Sequence, residues 1–372
     1  MNRLTRFIGA VSISVLFAGS LAACGGDSGG GGGAGAGAAV LDVTKANLPK
    51  SADEINGTID KTKVKKSLVV GVDNEYYLFH EDIEVALDKG YFKEFGIDKV
   101  EVKTVDDPLP PLIGGSLDMA LYDSDTAMAA AKKSNEGVRF LSVYLGGEAN
   151  ILGVGKGINS AADLKGKTIT GGQFGSRNDA ILRELLQANG VDPAKDVKIV
   201  STGGQSNSRL QAIIAGTVKG ASIQLRHEAL LQAAGGKVLF KQTRQVPQNG
   251  WSADKLLKDS PETVTAFLAA TLKARQFITN QANKDAVLAL MRSKKYDIPP
   301  AYANVYGQEN APTYHVGDGG FKPADMDKFI QDQIGFKNVP PGTDWRKYTY
   351  LMPLWRAQKA LGLPLNPALK DL

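Results

Sequence analysis

Two rhythms of apolar residues alternate along this chain. Residues 67–72 and 168–170 are short runs rich in Val, Ile and Thr, the side chains that suit buried strands. Between such runs the spacing turns helical. Ile181, Leu182, Leu185 and Leu186 form one stripe that must face a core, and Ile83, Leu87 and Tyr91 lie four apart on a helix expected over residues 80–95 and ended by Gly96. A strand over 99–105, a short helix opened by the prolines of 108–111 and a strand over 118–122 complete a βαβαβ order. The same order returns as a strand at 168–170, a helix at 176–189, a strand at 197–201, a helix from Ser206 and a strand at 220–224. Gly171, Gly172 and Gly175 supply a tight turn after 168–170, and Ser176 stands where it caps the following helix. The pattern predicts an α/β chain with two βαβαβ lobes.

An internal repeat supports that architecture. Leu109-x-x-Leu112-Ile113-Gly114-Gly115-Ser116-Leu117-x-x-Ala120 recurs as Leu210-x-x-Ile213-Ile214-Ala215-Gly216-Thr217-Val218-x-x-Ala221, each copy reading as a helix ended by glycine and then a strand. Extended stretches at 139–145 and 150–154, around Gly146-Gly147, read as a crossing between lobes, with a return crossing around 241–250. Beyond Pro261 the chain is mostly helical: Val264, Phe267, Leu268, Thr271, Leu272 and Ile278 make a stripe, with Ser260 as cap and Pro261 at the first helical position. The expected division is a signal peptide over 1–23, a flexible tether and N-terminal extension over 24–66, lobe 1 over 67–145 and lobe 2 over 146–242. Residues 243–372 are expected to hold the return crossing and C-terminal helices packed on lobe 1.

The amino terminus has a job separate from the fold. Arg3 and Arg6 begin it, an apolar run from Phe7 to Leu21 follows, and Leu21-Ala22-Ala23-Cys24 ends it. This resembles a bacterial lipoprotein signal in which Cys24 becomes the lipidated first residue, and Cys24 is the one cysteine of the sequence. No second cysteine exists for a disulfide, a thiolate metal site or a cysteine nucleophile. The Gly, Ala and Ser of 25–39 make a flexible tether. Loss of residues 1–23 removes Arg3 and Arg6 and no acid, so the formal charge falls from +5 to +3, too mild to argue for nucleic acid.

Open α/β sheets bind ligands at the carboxyl ends of their strands, and two facing lobes make a cleft. Position alone nominates Asn74, Tyr76, Tyr77 and His80 after the first strand, Asp123 and Ser124 after the third, and Asn150 at the crossing. The second lobe offers Phe174, Ser176, Arg177, Gln224 and Arg226. Tyr76, Tyr77 and Phe174 have faces for a planar ligand, and Arg177 and Arg226 have forks for a carboxylate or sulfonate. Asp123 or Ser124 also reads as the cap of the alanine-rich helix that follows. His80, His227 and His315 share no metal-ligand spacing, no G-x-S-x-G elbow is present, and Asp106-Asp107, Asp123 and Asp125 read as caps and turns rather than a catalytic pair. No cofactor or metal is expected.

Three stretches carry a family resemblance. Gly71-Val72 followed by Ile83-Glu84-Val85-Ala86-Leu87-Asp88-Lys89-Gly90-Tyr91-Phe92 and Phe95-Gly96-Ile97 resembles the opening of the NMT1/THI5-like solute-binding proteins of ABC importers for nitrate, sulfonates, taurine and the thiamine pyrimidine precursor. Asp163-Leu164-Lys165-Gly166-Lys167-Thr168-Ile169 and Ser260-Pro261-Glu262-Thr263-Val264, with Phe267-Leu268 and Ala274, are similar to its middle and later motifs. The chain departs from the family at Gln224-Leu225-Arg226-His227, and it lacks the cysteine-rich motif of related pyrimidine-forming enzymes. The resemblance implies a type-II periplasmic-binding clamshell. Taken with the lipoprotein-like terminus, the expectation is a lipid-anchored monomer at the outer face of a bacterial membrane that captures a small planar or anionic solute without bond chemistry. The partners implied are an ABC permease and its ATPase. A cleft enzyme related to the pyrimidine-precursor synthases and a surface signalling lipoprotein are the alternatives.

Overall fold

Leu68, Val70 and Val72 are fully buried along strand β1 (Ser67–Val72), which runs parallel to β2 (Lys99–Thr104) and β3 (Met119–Asp123). The computed structural model describes residues 48–72, 80–105, 107–124, 127–129, 137–146, 148–202, 205–244, 248–295 and 315–372. The expected signal peptide, Cys24 and the glycine-rich tether lie outside them, as do Asn74, Tyr76, Tyr77, Asp106 and Asp125.

Helix α1 (Glu81–Asp88) and the short α2 (Tyr91–Glu94) follow β1. They correct the single helix expected over 80–95. Gly90, at φ +72°, turns the chain between them, so Tyr91 leaves the helix that carries Ile83 and Leu87. Ile83, Val85 and Ala86 are buried instead, and Leu87 is 38% exposed. Gly96 does end α2: its N–H reaches the Lys93 carbonyl at 3.0 Å and the Ile97 N–H reaches Phe92 at 2.9 Å, a paired closure around a left-handed residue. Helix α3 (Leu109–Ile113) leads into β3, and its entry is tied by Asp107 Oδ1, which accepts the Leu109 N–H.

The second sheet repeats the plan. Strand β6 (Thr168–Thr170) is followed by α4 (Arg177–Ala188), β7 (Lys198–Ile199), α5 (Ser206–Ile214) and β8 (Gly220–Gln224), with β6 parallel to both β7 and β8. The internal repeat holds at the level of single hydrogen bonds. Ser116 Oγ donates to the Pro111 carbonyl at 3.1 Å and Thr217 Oγ1 to the Ala212 carbonyl at 2.9 Å. Gly115 and Gly216 take φ +78° and +74° at matching turns.

Each sheet is completed by strands of the other direction. β4 (Val138–Leu145) belongs to the first sheet and β5 (Glu148–Val154) to the second, so the chain changes sheet around Gly146. Helix α6 (Glu228–Ala233) and β9 (Lys237–Arg244) close the second sheet before β10 (Gln248–Ala253) returns to the first. The orders are β2-β1-β3-β10-β4 and β7-β6-β8-β5-β9, with β10 antiparallel to β3 and β4, and β5 antiparallel to β8 and β9. Both strands extend into the stretch read from sequence as the return crossing, leaving only 245–247 between them. Apolar residues pack on both faces of the second sheet, Ile181, Leu182, Leu185 and Leu186 on one and Leu210, Ile213 and Leu231 on the other. The architecture is α/β with two βαβαβ halves.

After α7 (Asp254–Asp259), the long helix α8 (Pro261–Thr279) buries Val264, Phe267, Leu268, Thr271, Leu272 and Ile278 in the core of the first sheet. Pro261 occupies its first position as expected, but Ser260 does not cap it through its side chain. That hydroxyl donates to the Lys63 carbonyl and lies 2.6 Å from Thr263 Oγ1. Helices α9 (Lys284–Ser293), α10 (Pro323–Gly335) and α11 (Met352–Ala360) add to the same core. The polar stretch before β1 joins it too, through Ile55 and Val64.

Candidate ligand-binding cleft

Strand register fixes where the two sheets are joined. Leu145, the last residue of β4, pairs with Gln248, the first of β10, and Gln248 pairs with Asp123 at the carboxyl end of β3. In the second sheet Glu148 pairs with Arg244, the last residue of β9, and Asn150 with Gln224 at the carboxyl end of β8. Both crossings therefore sit at the carboxyl ends of the parallel strands of both sheets. Loops and helix starts from the two halves converge on this edge, which is where open α/β sheets hold ligands.

From the first sheet, His80 takes the N-cap position of α1 and is fully buried, its ring 5.0 Å from that of Tyr144 near the end of β4. Ser124 is buried and Asp123 half-buried beside it. Glu81, Asp82 and Glu84 crowd the first turn of α1, a favourable place for carboxylates. Each is buried against a base from the far part of the chain: Glu81 with His315 Nε2 at 2.9 Å, Asp82 with Arg275 Nε at 2.7 Å and Glu84 with Lys294 Nζ at 3.2 Å. Burial of such charges requires partners, and these acids have them.

In the second half, the glycine turn after β6 is pinned from beneath. Thr170 Oγ1 accepts the Gly172 N–H at 3.0 Å and lies 2.8 Å from Thr202 Oγ1, whose residue donates its own N–H to the Gly172 carbonyl. Gly172 and Gly175 have φ of +101° and +74°. Ser176 caps α4 as read from sequence, accepting the Asp179 N–H at 3.3 Å. The same turn already carries a carboxylate, because Asp179 Oδ2 accepts from the Gly175 N–H and from Arg183 Nε, each at 3.1 Å. That charge competes with an anion for the helix start. Phe174 projects from the turn and is 59% exposed.

Gln224 is half-buried, and its N–H donates to Ser206 Oγ at 2.9 Å. Arg177 opens α4, and Arg226 lies in the short 3-10 turn Leu225–His227. Their side chains are outside the described residues. Sequence reasoning missed Arg209, which is buried in α5 with Nε donating to the Ser222 carbonyl at 2.6 Å and Nη1 under the Gly172 turn. Its placement with Ser206, Leu210 and Ile213 on one helical face was the available signal.

It also missed Asn249, the second residue of β10. Asn249 and Asn150 are both buried, one beside each crossing. Among the described residues no group of three or more His, Cys, Asp or Glu is placed to hold a metal ion, and no helix is long and apolar enough to cross a membrane.

Comparison with known proteins then fits this geometry. A family model described as NMT1/THI5 like matches residues 79–284, more than half of the chain. The chain belongs to the NMT1/THI5-like family. A Bacillus subtilis (strain 168) protein, provisionally named binding protein YtlA, is 26% identical over 240 residues, which cover 62% of this chain and 70% of that one. The periplasmic aliphatic sulphonate binding protein SsuA of Escherichia coli aligns with a TM-score of 0.59 at 18% identity, over 78% of this chain and 99% of its own. The desulfurization enzyme DSZB aligns at 0.61 with 11% identity, over 79% and 99%. This NMT1/THI5-like chain thus has the periplasmic-binding-protein fold, and that fold is shared by binders and by an enzyme.

Proposed function

We propose that the protein is the solute-binding component of an ABC importer. It captures a small planar or anionic organic solute, whether a sulfonate, an aromatic carboxylate or a pyrimidine-like ring, and delivers it to a permease powered by an ATPase. The observation that carries this reading is the register: both crossings lie at the carboxyl ends of the strands, so contacts from the two halves are complete only when the halves close. A ligand that gains those contacts shifts the open and closed populations by its differential affinity. His80, Asp123, Ser124 and Asn150 are offered for it near the first crossing, and Phe174, Ser176, Arg177, Gln224 and Arg226 from the second half. Asn74, Tyr76 and Tyr77 complete the proposed site.

The reading is of binding without bond chemistry. The buried acids of α1 support it, since each is engaged by a base of the fold. Membership of the NMT1/THI5-like family and the likeness to YtlA and SsuA support it as well. We place the mature protein as a monomer outside the cytoplasmic membrane, anchored by lipid on Cys24, as the lipobox-like Leu21-Ala22-Ala23-Cys24 suggests. The test is a thermal-shift panel of sulfonates, aromatic acids, nitrate and pyrimidines on the mature chain. A selective rise in midpoint supports a binder and gives the solute class, because a ligand of the native state stabilises by mass action. Consumption of the compound that binds would replace this reading with an enzyme, and no rise with any compound would count against it.

A further inference from the structure

The strands that follow the two crossings each place an asparagine beside the junction. Asn249 in β10 lies opposite Tyr122 of β3 and Val143 of β4, and Asn150 in β5 lies opposite Gln224 of β8 and Gln242 of β9. Their exposures are 0% and 1%. Neither Oδ1 nor Nδ2 of Asn249 has a hydrogen-bond partner among the described residues, and neither does Nδ2 of Asn150. A buried amide without partners is a standing cost to the folded chain, because its groups have left water and gained nothing in exchange. A leucine would fill such a place at no such cost. Bare atoms alone do not single these residues out, since Trp251 Nε1 is bare as well, inside an aromatic cluster with Phe140. What distinguishes the asparagines is that each stands within three residues of a crossing, on opposite sheets, at the edge where ligand must enter.

Resting on the importer reading above, we infer that Asn249 and Asn150 read the ligand, and that the ligand presents a neutral edge with a hydrogen-bond donor beside an acceptor. Carboxamides and amino-substituted nitrogen heterocycles have such an edge. The argument turns on Asn249. Both of its polar atoms are bare, so whichever way the amide is turned, one atom needs a donor and the other an acceptor. Nitrate, sulfonates and ionised carboxylates supply acceptors only. They would set lone pairs against Oδ1 and leave it unsatisfied, a mismatch that binding sites reject strongly. Asn249 is therefore the specificity-determining residue, and Asn150 supports it from the other sheet through Nδ2.

The experiment compares the full chain with its Asn249→Leu and Asn150→Leu variants. Thermal midpoints are read alone, with nicotinamide and cytosine as donor–acceptor probes, and with benzoate, benzenesulfonate and nitrate as acceptor-only probes. The expected result is a wild-type rise with a donor–acceptor probe. Asn249→Leu should leave the unliganded midpoint unchanged or higher while weakening that probe by about tenfold or more, as expected for one well-formed bond lost. A lowered unliganded midpoint in Asn249→Leu would make the amide structural and overturn the inference. So would probe affinity within about twofold of wild type, or a wild-type preference for the acceptor-only probes. In that last case the importer reading stands and the inference alone fails. If no probe raises the wild-type midpoint, the inference fails, and the importer reading is decided separately by the wider panel of sulfonates, aromatic acids, nitrate and pyrimidines.

Discussion

Arg275 Nε of α8 lies 2.7 Å from Asp82 Oδ2 in the first turn of α1, and neither side chain has any exposed surface. The same guanidinium donates through Nη1 to the Val143 carbonyl at 3.1 Å and lies 5.9 Å from the Tyr144 ring. One residue thereby ties the long C-terminal helix to the helix after β1 and to Val143 of β4, three residues before Gly146. Removal of either charge strands the other in the core. Arg275→Met or Asp82→Leu should each cost about 3–5 kcal/mol, whereas the two together should recover most of that loss. Urea unfolding of the two single variants and the double variant checks this. Additive losses would mean that the two side chains do not act as a pair.

A second ion pair gives a dependence on pH. Arg346 grips Asp327 with both ends of its fork, at 2.7 and 3.0 Å, and Trp345 Nε1 donates to the same carboxylate at 2.7 Å. The Arg346 hydrogen bonds first, and the Trp345 bond after them, hold the Asp327 carboxyl below its ordinary value of 3.8. The unfolded chain then takes up its proton before the folded one does. The stability contributed is fully present above about pH 4 and is lost as the pH falls through the lower folded value. Asp327 is about half exposed, so the effect is modest. Thermal midpoints from pH 6 down to pH 2 should fall less steeply for Asp327→Asn than for wild type, and equal slopes would contradict the assignment.

The segment before β1 is bound to the body by the other end of the chain. Arg356 in α11 donates to the Asn56 carbonyl at 2.9 Å, to the Thr58 carbonyl at 2.7 Å and to Glu262. Lys359 donates to the carbonyls of Ala52 and Ile55. Arg356→Ala should loosen residues 52–60 without unfolding the sheets. Hydrogen exchange of those amides should quicken while those of β1 and β3 hold, and unchanged exchange at 52–60 would show that burial of Ile55 alone keeps the segment in place.

Local rules explain what was legible beforehand. The stripe of α4, its Ser176 cap, the left-handed Gly96 and the repeat of α3 in α5 are all set within a few residues, where spacing and turn chemistry act. From such pieces the βαβαβ order and the candidates near the crossings followed. The acids of α1 were invisible as ion pairs because their partners are far along the chain, Arg275 being 193 positions from Asp82 and His315 being 234 from Glu81. The stripe through Leu87 failed for a related reason: Gly90 turned the chain, and the core of α1 was chosen by packing against α8. Asn249 was passed over because residues 241–250 read as a crossing, and its place in β10 opposite Tyr122 is set by pairing with distant strands.

The turn after β6 gives the sharpest local test. A Cβ built on Gly171 would stand 2.6 Å from Asp179 Cα and 2.7 Å from the Asn178 carbonyl, both backbone atoms that move only if the start of α4 moves. Gly175 has open space around the same position, and its only demand is φ of +74°. The two glycines therefore serve different ends, close approach in one case and a left-handed turn in the other. Gly171→Ala should cost about 1–3 kcal/mol as an overpacked contact. It should also pull Ser176 from the Asp179 N–H, a cap worth about 1 kcal/mol. Gly175→Ala should cost about 1–2 kcal/mol of backbone strain and leave that cap in place. Protection of the Asp179 amide separates the two outcomes. It should be lost in Gly171→Ala and kept in Gly175→Ala, and equal protection in both would mean that the turn and α4 are not in the contact described.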